Sequence, residues 1–299
     1  MFTQNLKYFV ILCILSIVVS GCSFNQISPD DVNSGVNQVY IENKGSDTMV
    51  NMALYWAEQY QKENNNISIS VTGGGSGTGI SALISNTVDI ANASRKIKDE
   101  EIEQANANGI HPVEYIAARD AIAVIVNVEN PIEKLTLQQV SDIYSGLIRN
   151  WSELGGEDRP IVKLSRETNS GTHVYFLESV IRLGDSDDPT IFSADTLLLP
   201  SSEGIISEVR DNPNAIGYDG LGYITSDVKV LAIENQNGEY ILPTVETVNL
   251  NSYPISRDLY VYVNGTPKEE ILAYINWILS DAGQKIVMDL GFVPILKDN

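Results

Sequence analysis

Three turns in the sequence combine hydroxyl side chains and glycine directly before a predicted helix. They are Gly-Ser-Asp-Thr-Met at 45–49, Thr-Gly-Gly-Gly-Ser-Gly-Thr-Gly at 72–79 and Ser-Arg-Glu-Thr-Asn-Ser-Gly-Thr at 165–172. The first backbone amides of a helix have no partner within the helix, and the helix dipole favours negative charge there. Glycine lets the backbone approach a ligand closely, and serine and threonine add hydroxyl donors. This chemistry is suited to binding an anion.

Each turn alone also has a plainer interpretation. The hydroxyls at 46–48 suit a helix cap, and the run at 72–79 suits a glycine-rich loop without a ligand. The run at 72–79 is not a nucleotide P-loop, because no Gly-Lys-Ser/Thr follows it, and it does not fit the Gly-x-Ser-x-Gly nucleophile elbow. The third turn adds Arg166, whose guanidinium fork matches two oxygens of an oxyanion. Three occurrences of the pattern in one chain favour one shared anion site.

Strands and helices alternate along the chain, which predicts an α/β fold. Apolar residues at every second position predict a strand at 67–71, and a continuous apolar run predicts a strand buried on both faces at 121–126. The other predicted strands are at 161–164, 228–233, 240–245 and 259–263, and a turn followed by a strand is predicted at 212–218. Helices are predicted after residues 49 and 79 and at 98–108, 137–143, 174–181, 269–279 and 282–290, and Thr136 is the predicted cap of the helix at 137–143. A chain of 299 residues is long enough to form two lobes.

The N-terminus predicts export and a lipid anchor. Lys7 is the only charge before an apolar run of about a dozen residues, too short for a membrane span, and Val-Ser-Gly-Cys follows at 19–22. This tetrapeptide resembles a lipoprotein lipobox, so we predict a signal peptide at 1–21, lipidated Cys22 and a lipid-anchored linker at 22–37. A plain signal peptide is the alternative. The protein is expected at the outer face of the cell membrane.

The chain is strongly acidic, with a formal net charge of −20. No basic stripe is present, so nucleic acid is excluded as a natural partner. Solubility or a salty habitat is the simplest explanation of the acidity. Since the overall field opposes an approaching anion, attraction must come from short-range dipoles and buried arginines.

Taken together and in order, the motifs resemble the phosphate-binding protein of the high-affinity phosphate ABC transporter. The three turns contribute to this resemblance, as do the stretches 89–95, 214–218 and 253–260, so that it spans about 41–294. It implies a two-lobe periplasmic-binding-protein fold of type II-like topology, with phosphate in the interlobe cleft. Lobe 1 would comprise 38–123 and 260–299, and lobe 2 would comprise 124–259. Two hinge strands would connect the lobes, near 121–126 and 253–263.

The resemblance also implies a set of phosphate ligands. The set is Thr48, Met49, Ser76, Gly77, Thr78, Asp89, Arg166, Ser170, Gly171 and Thr172, with Ser46 and Arg95 as further candidates. Asp89 would accept a hydrogen bond from the phosphate proton and repel sulfate, which has no proton near neutral pH. Arg95 could instead form a structural salt bridge. His173 is expected to be exposed at the start of its helix.

The resemblance implies an extracytoplasmic lipoprotein that captures inorganic phosphate for an ABC importer. Its partners would be phosphate, the transporter's permease and, through the lipid, the membrane, and the protein is expected to be a monomer. No enzymatic activity, catalytic residue, metal site or cofactor is expected. The alternatives are a binding protein for sulfate, molybdate or tungstate, an exported phosphatase-like enzyme, and an adhesion or sensory lipoprotein. The enzyme is disfavoured because His111 and His173 lie far apart in the sequence and metal ligands would have to be carboxylates alone.

Overall fold

The computed structural model describes residues 38–295. The predictions of a signal peptide at 1–21, of lipidated Cys22 and of a linker at 22–37 therefore concern residues outside the described part. Within 38–295, none of the helices has the length and apolar character that a membrane crossing requires.

Twelve strands form two sheets within the described residues. They are β1 (Val39–Gly45), β2 (Ile67–Thr72), β3 (Ile90–Ala93), β4 (Pro112–Asn127), β5 (Lys134–Leu135), β6 (Val162–Arg166), β7 (Leu197–Leu199), β8 (Ala215–Gly220), β9 (Val228–Val230), β10 (Ala232–Glu234), β11 (Tyr240–Ile241) and β12 (Ser256–Asn264). The large sheet has the order β2-β1-β3-β12-β4-β8-β6-β7, with β9 also paired to β4, and the small sheet has the order β11-β10-β5.

The α-helices connect these strands and cover the large sheet. They are α1 (Asp47–Glu63), α2 (Ser76–Ile84), α3 (Asp99–Ala107), α4 (Leu137–Ser145), α5 (Gly171–Phe176), α6 (Ser202–Asp211), α7 (Val245–Asn249), α8 (Glu269–Ile278) and α9 (Asp281–Asp289). A π-helical segment, Leu177–Ile181, continues α5. Thr136 caps α4 with its side chain, as its position in the sequence predicts.

Strands β4 and β12 connect two lobes. They pair antiparallel from Ser256 opposite Ala121 to Asn264 opposite Pro112. On the side of lobe 1, β12 also pairs with β3. From Ile122 onward, β4 pairs instead with β8 and β9 of lobe 2. The chain therefore passes between the lobes where β4 changes partners, and the predicted boundaries 123/124 and 259/260 lie inside these two strands.

Each lobe has apolar packing on both faces of its part of the sheet. In lobe 1, one cluster is built around Trp56 of α1 and a second around Ile80 of α2. In lobe 2, one cluster contains Trp151 and Phe176, and another contains Ile205 of α6. This double coverage explains why the predicted strand at 121–126 is completely buried.

Three strand predictions differ from the structure. The strand predicted at 228–233 is divided into β9 and β10, which belong to different sheets. The strand predicted at 240–245 ends at Ile241, because Pro243 follows and Thr244 caps α7. The strand predicted at 121–126 is the second part of β4, which begins at Pro112. Polar residues such as Glu114 and Arg119 break the apolar run in the first part of that strand and conceal it in the sequence.

Candidate functional site

The first two predicted turns follow neighbouring parallel strands. Strand β1 pairs parallel with β2 and with β3, with Lys44 opposite Thr72 and Gly45 opposite Asn92. The carboxyl ends of the three strands therefore meet at one edge of the sheet, where ligands of open α/β sheets characteristically bind. This arrangement brings the start of α1, the start of α2 and Ser94 together.

The third turn reaches the same place from lobe 2. The hydroxyls of Thr48 and Thr172 lie 2.9 Å apart, and both side chains are buried. Ser76 Oγ lies 3.2 Å from Ser94 Oγ and accepts a 2.9 Å hydrogen bond from the Ser94 amide. Gly171 packs directly against this serine pair: a Cβ atom on Gly171 would lie 2.6 Å from Ser94 Oγ and would also clash with Ser76 Oγ. Only glycine allows this approach of the two lobes.

Arg166 is completely buried at the end of β6. One terminal nitrogen donates to the Ser202 hydroxyl at 2.7 Å, and the other donates to the Asp47 carboxylate at 3.0 Å. Asp47 begins α1 of lobe 1, so this ion pair also crosses between the lobes. A second carboxylate, Asp219, lies 3.6 Å from Arg166. Burial raises the pKa of Asp219, and the positive charge of Arg166 opposes that rise.

Three of the predicted site residues have a buried polar atom without a hydrogen-bond partner in the described chain. These atoms are Ser46 Oγ, Arg95 Nε and Arg166 Nε. Buried donors are almost always paired in native proteins, since leaving one unpaired costs about 1–3 kcal/mol. Unpaired donors on residues from both lobes are consistent with a site that binds an acceptor-rich ligand.

The remaining predicted residues have other partners. The Gly77 amide donates to the Asn169 carbonyl of lobe 2 at 3.0 Å. The Thr78 hydroxyl donates its proton to Gly74 O of its own loop at 2.5 Å, so this proton is not available to a ligand. Met49 is fully buried, and Ser170 caps α5 by accepting from the Thr172 amide.

Arg95 forms the structural salt bridge that the sequence left as an alternative. Its two terminal nitrogens donate to Glu101 at 2.8 and 2.6 Å. Burial opposes ionisation of Glu101, but the Arg95 contacts and the Lys98 amide lower its pKa overall. Arg95 still lies beside the site, with Nη2 3.9 Å from where a Cβ atom on Gly77 would be.

Asp89 does not lie with the other predicted ligands. It directly precedes β3, whereas Ser94 directly follows that strand, so the two residues lie at opposite ends of it. The Asp89 carboxylate accepts a 3.0 Å hydrogen bond from the Glu42 amide. The sequence prediction selected the wrong end of the strand for this ligand, because the stretch 89–95 contains a whole strand and its two ends cannot both reach one site.

The expectation that His173 is exposed is wrong. Only 8% of its surface is accessible, its ring stacks on Phe192 at a centroid distance of 4.4 Å, and Nδ1 lies 3.0 Å from Ser165 Oγ. Burial lowers the pKa of His173. The aromatic partner lies in a segment without regular structure, which the local sequence pattern could not place.

Comparison with known proteins agrees with this architecture. A family model described as a PBP superfamily domain matches residues 32–282. The phosphate-binding protein PstS of Pseudomonas aeruginosa is 33% identical over 269 residues, which cover 84% of this chain and 81% of that protein. The chain belongs to the PstS family of phosphate-binding proteins.

Two solved structures of similar proteins extend the PstS-family comparison. A phosphate ABC transporter substrate-binding protein from Clostridium perfringens, with phosphate bound, is 32% identical and has a TM-score of 0.76. The alignment covers 86% of this chain and 100% of that chain. An ABC-type phosphate transport receptor from Vibrio cholerae is 27% identical with a TM-score of 0.70, covering 85% of this chain and 100% of the other. The two-lobe periplasmic-binding-protein fold that the sequence predicts is thereby confirmed.

Sequence reasoning missed several residues around this PstS-family site. Ser94 lies inside the stretch 89–95 and Arg257 lies inside the stretch 253–260, and both stretches carried part of the resemblance. Neither residue lies in one of the three turns before helices, so no local anion-binding pattern marked it. Asp120 and Asp219 are single acids within apolar strands, and such a buried charge requires a partner. Their partners are Arg257, 137 positions away from Asp120, and Arg166, and no local pattern reveals such pairs.

Proposed function

We propose that this protein captures inorganic phosphate between its two lobes and delivers it to an ABC importer. The proposed ligands are Ser46, Thr48, Met49, Ser76, Ser94, Arg95, Arg166, Ser170, Gly171 and Thr172. The Gly77 amide and the Thr78 hydroxyl would stabilise the loop rather than contact the anion. Asp89 is not part of the proposed ligand set.

The observation that supports the proposal most strongly is the convergence of hydroxyls from both lobes, together with the buried Arg166 of lobe 2, which reaches Asp47 of lobe 1. Thr48 and Ser76 come from lobe 1, and Thr172 comes from lobe 2. A guanidinium and several hydroxyls in a water-poor site match an oxyanion that presents acceptors in every direction. Relatives with phosphate in their names, and one structure with phosphate bound, support this choice of oxyanion.

Binding would proceed by closure of the lobes around a dehydrated anion, and periplasmic binding proteins are a general example of such hinge motion. The direct contact between the Thr48 and Thr172 hydroxyls would be exchanged for contacts to phosphate oxygens. Gly171 would let the closed lobes approach each other. Affinity in the micromolar range would correspond to about −8 kcal/mol.

The cellular setting that we propose follows from the sequence. The chain would be exported, anchored through lipidated Cys22 to the outer face of the cell membrane, and active as a monomer. The closed form would dock on the importer's permease and release phosphate. The relatives reported above are binding proteins, which supports a role without enzymatic activity.

The test is calorimetric titration of the purified, anion-stripped protein with phosphate and then with sulfate. We expect phosphate to bind one-to-one. Asp89→Asn should leave the affinities for both anions unchanged, since Asp89 contacts Glu42 at the far end of β3. If another oxyanion binds and phosphate does not, the ligand assignment is wrong. If no oxyanion binds, the proposed function fails.

A further inference from the structure

Arg257 lies at the junction of the two lobes and the hinge. It is the second residue of β12, close to where β4 changes its pairing from lobe 1 to lobe 2. Only 2% of its side chain is accessible. The guanidinium lies 5.6 Å from the centroid of the Tyr175 ring, which adds a favourable cation–π contact on one side.

The guanidinium contacts three different parts of the molecule. Nη1 donates to the Ser94 carbonyl of lobe 1 at 2.8 Å. Nη2 donates to Thr172 Oγ1 of lobe 2 at 2.9 Å and to Asp120 of the hinge strand β4 at 3.0 Å. One side chain therefore connects both lobes through the hinge, and separation of the lobes must break at least one of these contacts.

The contact with Thr172 also determines the direction of its hydroxyl. Arginine can only donate hydrogen bonds, so Thr172 Oγ1 must accept from Arg257. The single hydroxyl proton is then free to be donated to Thr48 Oγ1, 2.9 Å away, or to an anion in the same place. Asp120 partly neutralises Arg257, so the arginine orients a donor without adding a full unpaired charge.

We propose that Arg257 is a positioning residue for anion binding, which orients the Thr172 hydroxyl as a donor and favours the closed lobes. This inference rests on the proposed function. Charge-assisted hydrogen bonds are about twice as strong as neutral ones, so the fork is well suited to hold the two lobes at a fixed separation. A lysine has the charge but not the planar fork, and it could not make the same three contacts.

A double-mutant cycle with phosphate as the probe tests the inference in the full chain. The variants are Arg257→Lys, Thr172→Val and both together. We expect Arg257→Lys to weaken phosphate binding about tenfold in the wild-type background and less than about twofold once Thr172 is Val, because the hydroxyl to be oriented is then absent. The matched control is Arg119→Lys on β4, which contacts Asn251 and should leave affinity unchanged.

A second measurement separates orientation and closure from mere stability. Urea unfolding of the anion-free variants reports stability, and energy transfer between dyes on the two lobes reports closure as the phosphate concentration is raised to saturation. We expect Arg257→Lys to reduce the closed fraction below saturation while the saturated protein still closes. Wild-type affinity in Arg257→Lys, or equal losses in both Thr172 backgrounds, would overturn the inference. Absence of phosphate binding to the wild-type protein would instead overturn the proposed function, and this inference with it.

Discussion

The starts of α2 and α5 face each other between the lobes, but they are built differently. The start of α2 has glycine at its cap position, with φ of +88° at Gly75, and no side chain caps it. The start of α5 is capped by Ser170. Nearby, Arg257 contacts Thr172, and Arg166 ends the strand that precedes the turn.

In the proposed site, the two lobes would therefore have different roles in binding an anion. Lobe 1 would contribute neutral hydroxyls, a backbone that the other lobe can approach closely, and Arg95, whose charge is already paired with Glu101. Lobe 2 contributes Arg166 together with a hydroxyl that a hinge arginine orients. Neutral and paired groups attract or repel an anion little at long range. The anion would therefore be attracted strongly only in the closed cleft, from which water is excluded.

Replacing the α5 glycine should have the largest effect on this arrangement. In Gly171→Ala, the new methyl group would clash with Ser76 and Ser94 across the cleft. We expect calorimetry to show phosphate affinity reduced at least about 100-fold, while alanine's better helix propensity keeps the loss of anion-free stability within about 1 kcal/mol.

The matched control for this change is Gly204→Ala in the first turn of α6, where the nearest atom to the new methyl group is Ser201 Oγ at 3.3 Å. It should retain phosphate affinity. If Gly171→Ala binds phosphate as tightly as the wild-type protein, the lobes do not close against Gly171.

At the start of α2, removing the Ser76 hydroxyl and removing the Thr78 hydroxyl should affect phosphate affinity differently. Ser76→Ala removes the acceptor of the Ser94 amide and a hydroxyl of the proposed site, and we expect about a tenfold loss of phosphate affinity by calorimetry. Thr78→Ala removes a hydroxyl that donates to Gly74 O in its own loop, and we expect less than about a twofold loss. Equal losses in both variants would contradict the distinction.

His173, near the start of α5, should make the free energy of unfolding depend on pH. The start of α2 contains no histidine. Burial lowers the pKa of His173 below its ordinary 6.5, so the folded protein binds fewer protons than the unfolded chain between the lowered value and 6.5. The free energy of unfolding therefore falls as pH falls through this window, by at most about 1.4 kcal/mol per pH unit.

Urea unfolding between pH 5 and 8 measures this slope. His173→Gln should flatten it, because glutamine is neutral throughout and can still bond to Ser165. The control His111→Gln makes the same replacement at an exposed histidine that pairs with Asn106, away from Ser165 and Phe192. An unchanged slope in His173→Gln would assign the pH dependence to other groups.

The sequence predicted the parts of the fold that depend on local patterns. The strand at 67–71, the capped helix at 137–143 and the three turns before helices all have clear periodicity or capping chemistry, and the structure contains them. The site depends on tertiary contacts as well. Asp89 and Ser94 are five positions apart in one stretch, and only the strand between them determines that they lie at opposite ends.

The arginines illustrate the same limit. Arg166 was predictable because it adjoins a turn with its own anion-binding pattern. Arg257 was not, since its role comes from contacts with Ser94, Asp120 and Thr172, which lie 163, 137 and 85 positions away. A buried acid within an apolar strand, such as Asp120, indicates that a cationic partner exists but does not identify it.

A crystal structure of the protein grown with phosphate would show directly whether both lobes bind the anion. We expect one phosphate between the lobes, within hydrogen-bonding distance of Ser76 from lobe 1 and of Arg166 and Thr172 from lobe 2, with the Thr48–Thr172 contact replaced by contacts to the anion. Phosphate bound to one lobe alone, or at the Asp89 end of β3, would contradict this expectation.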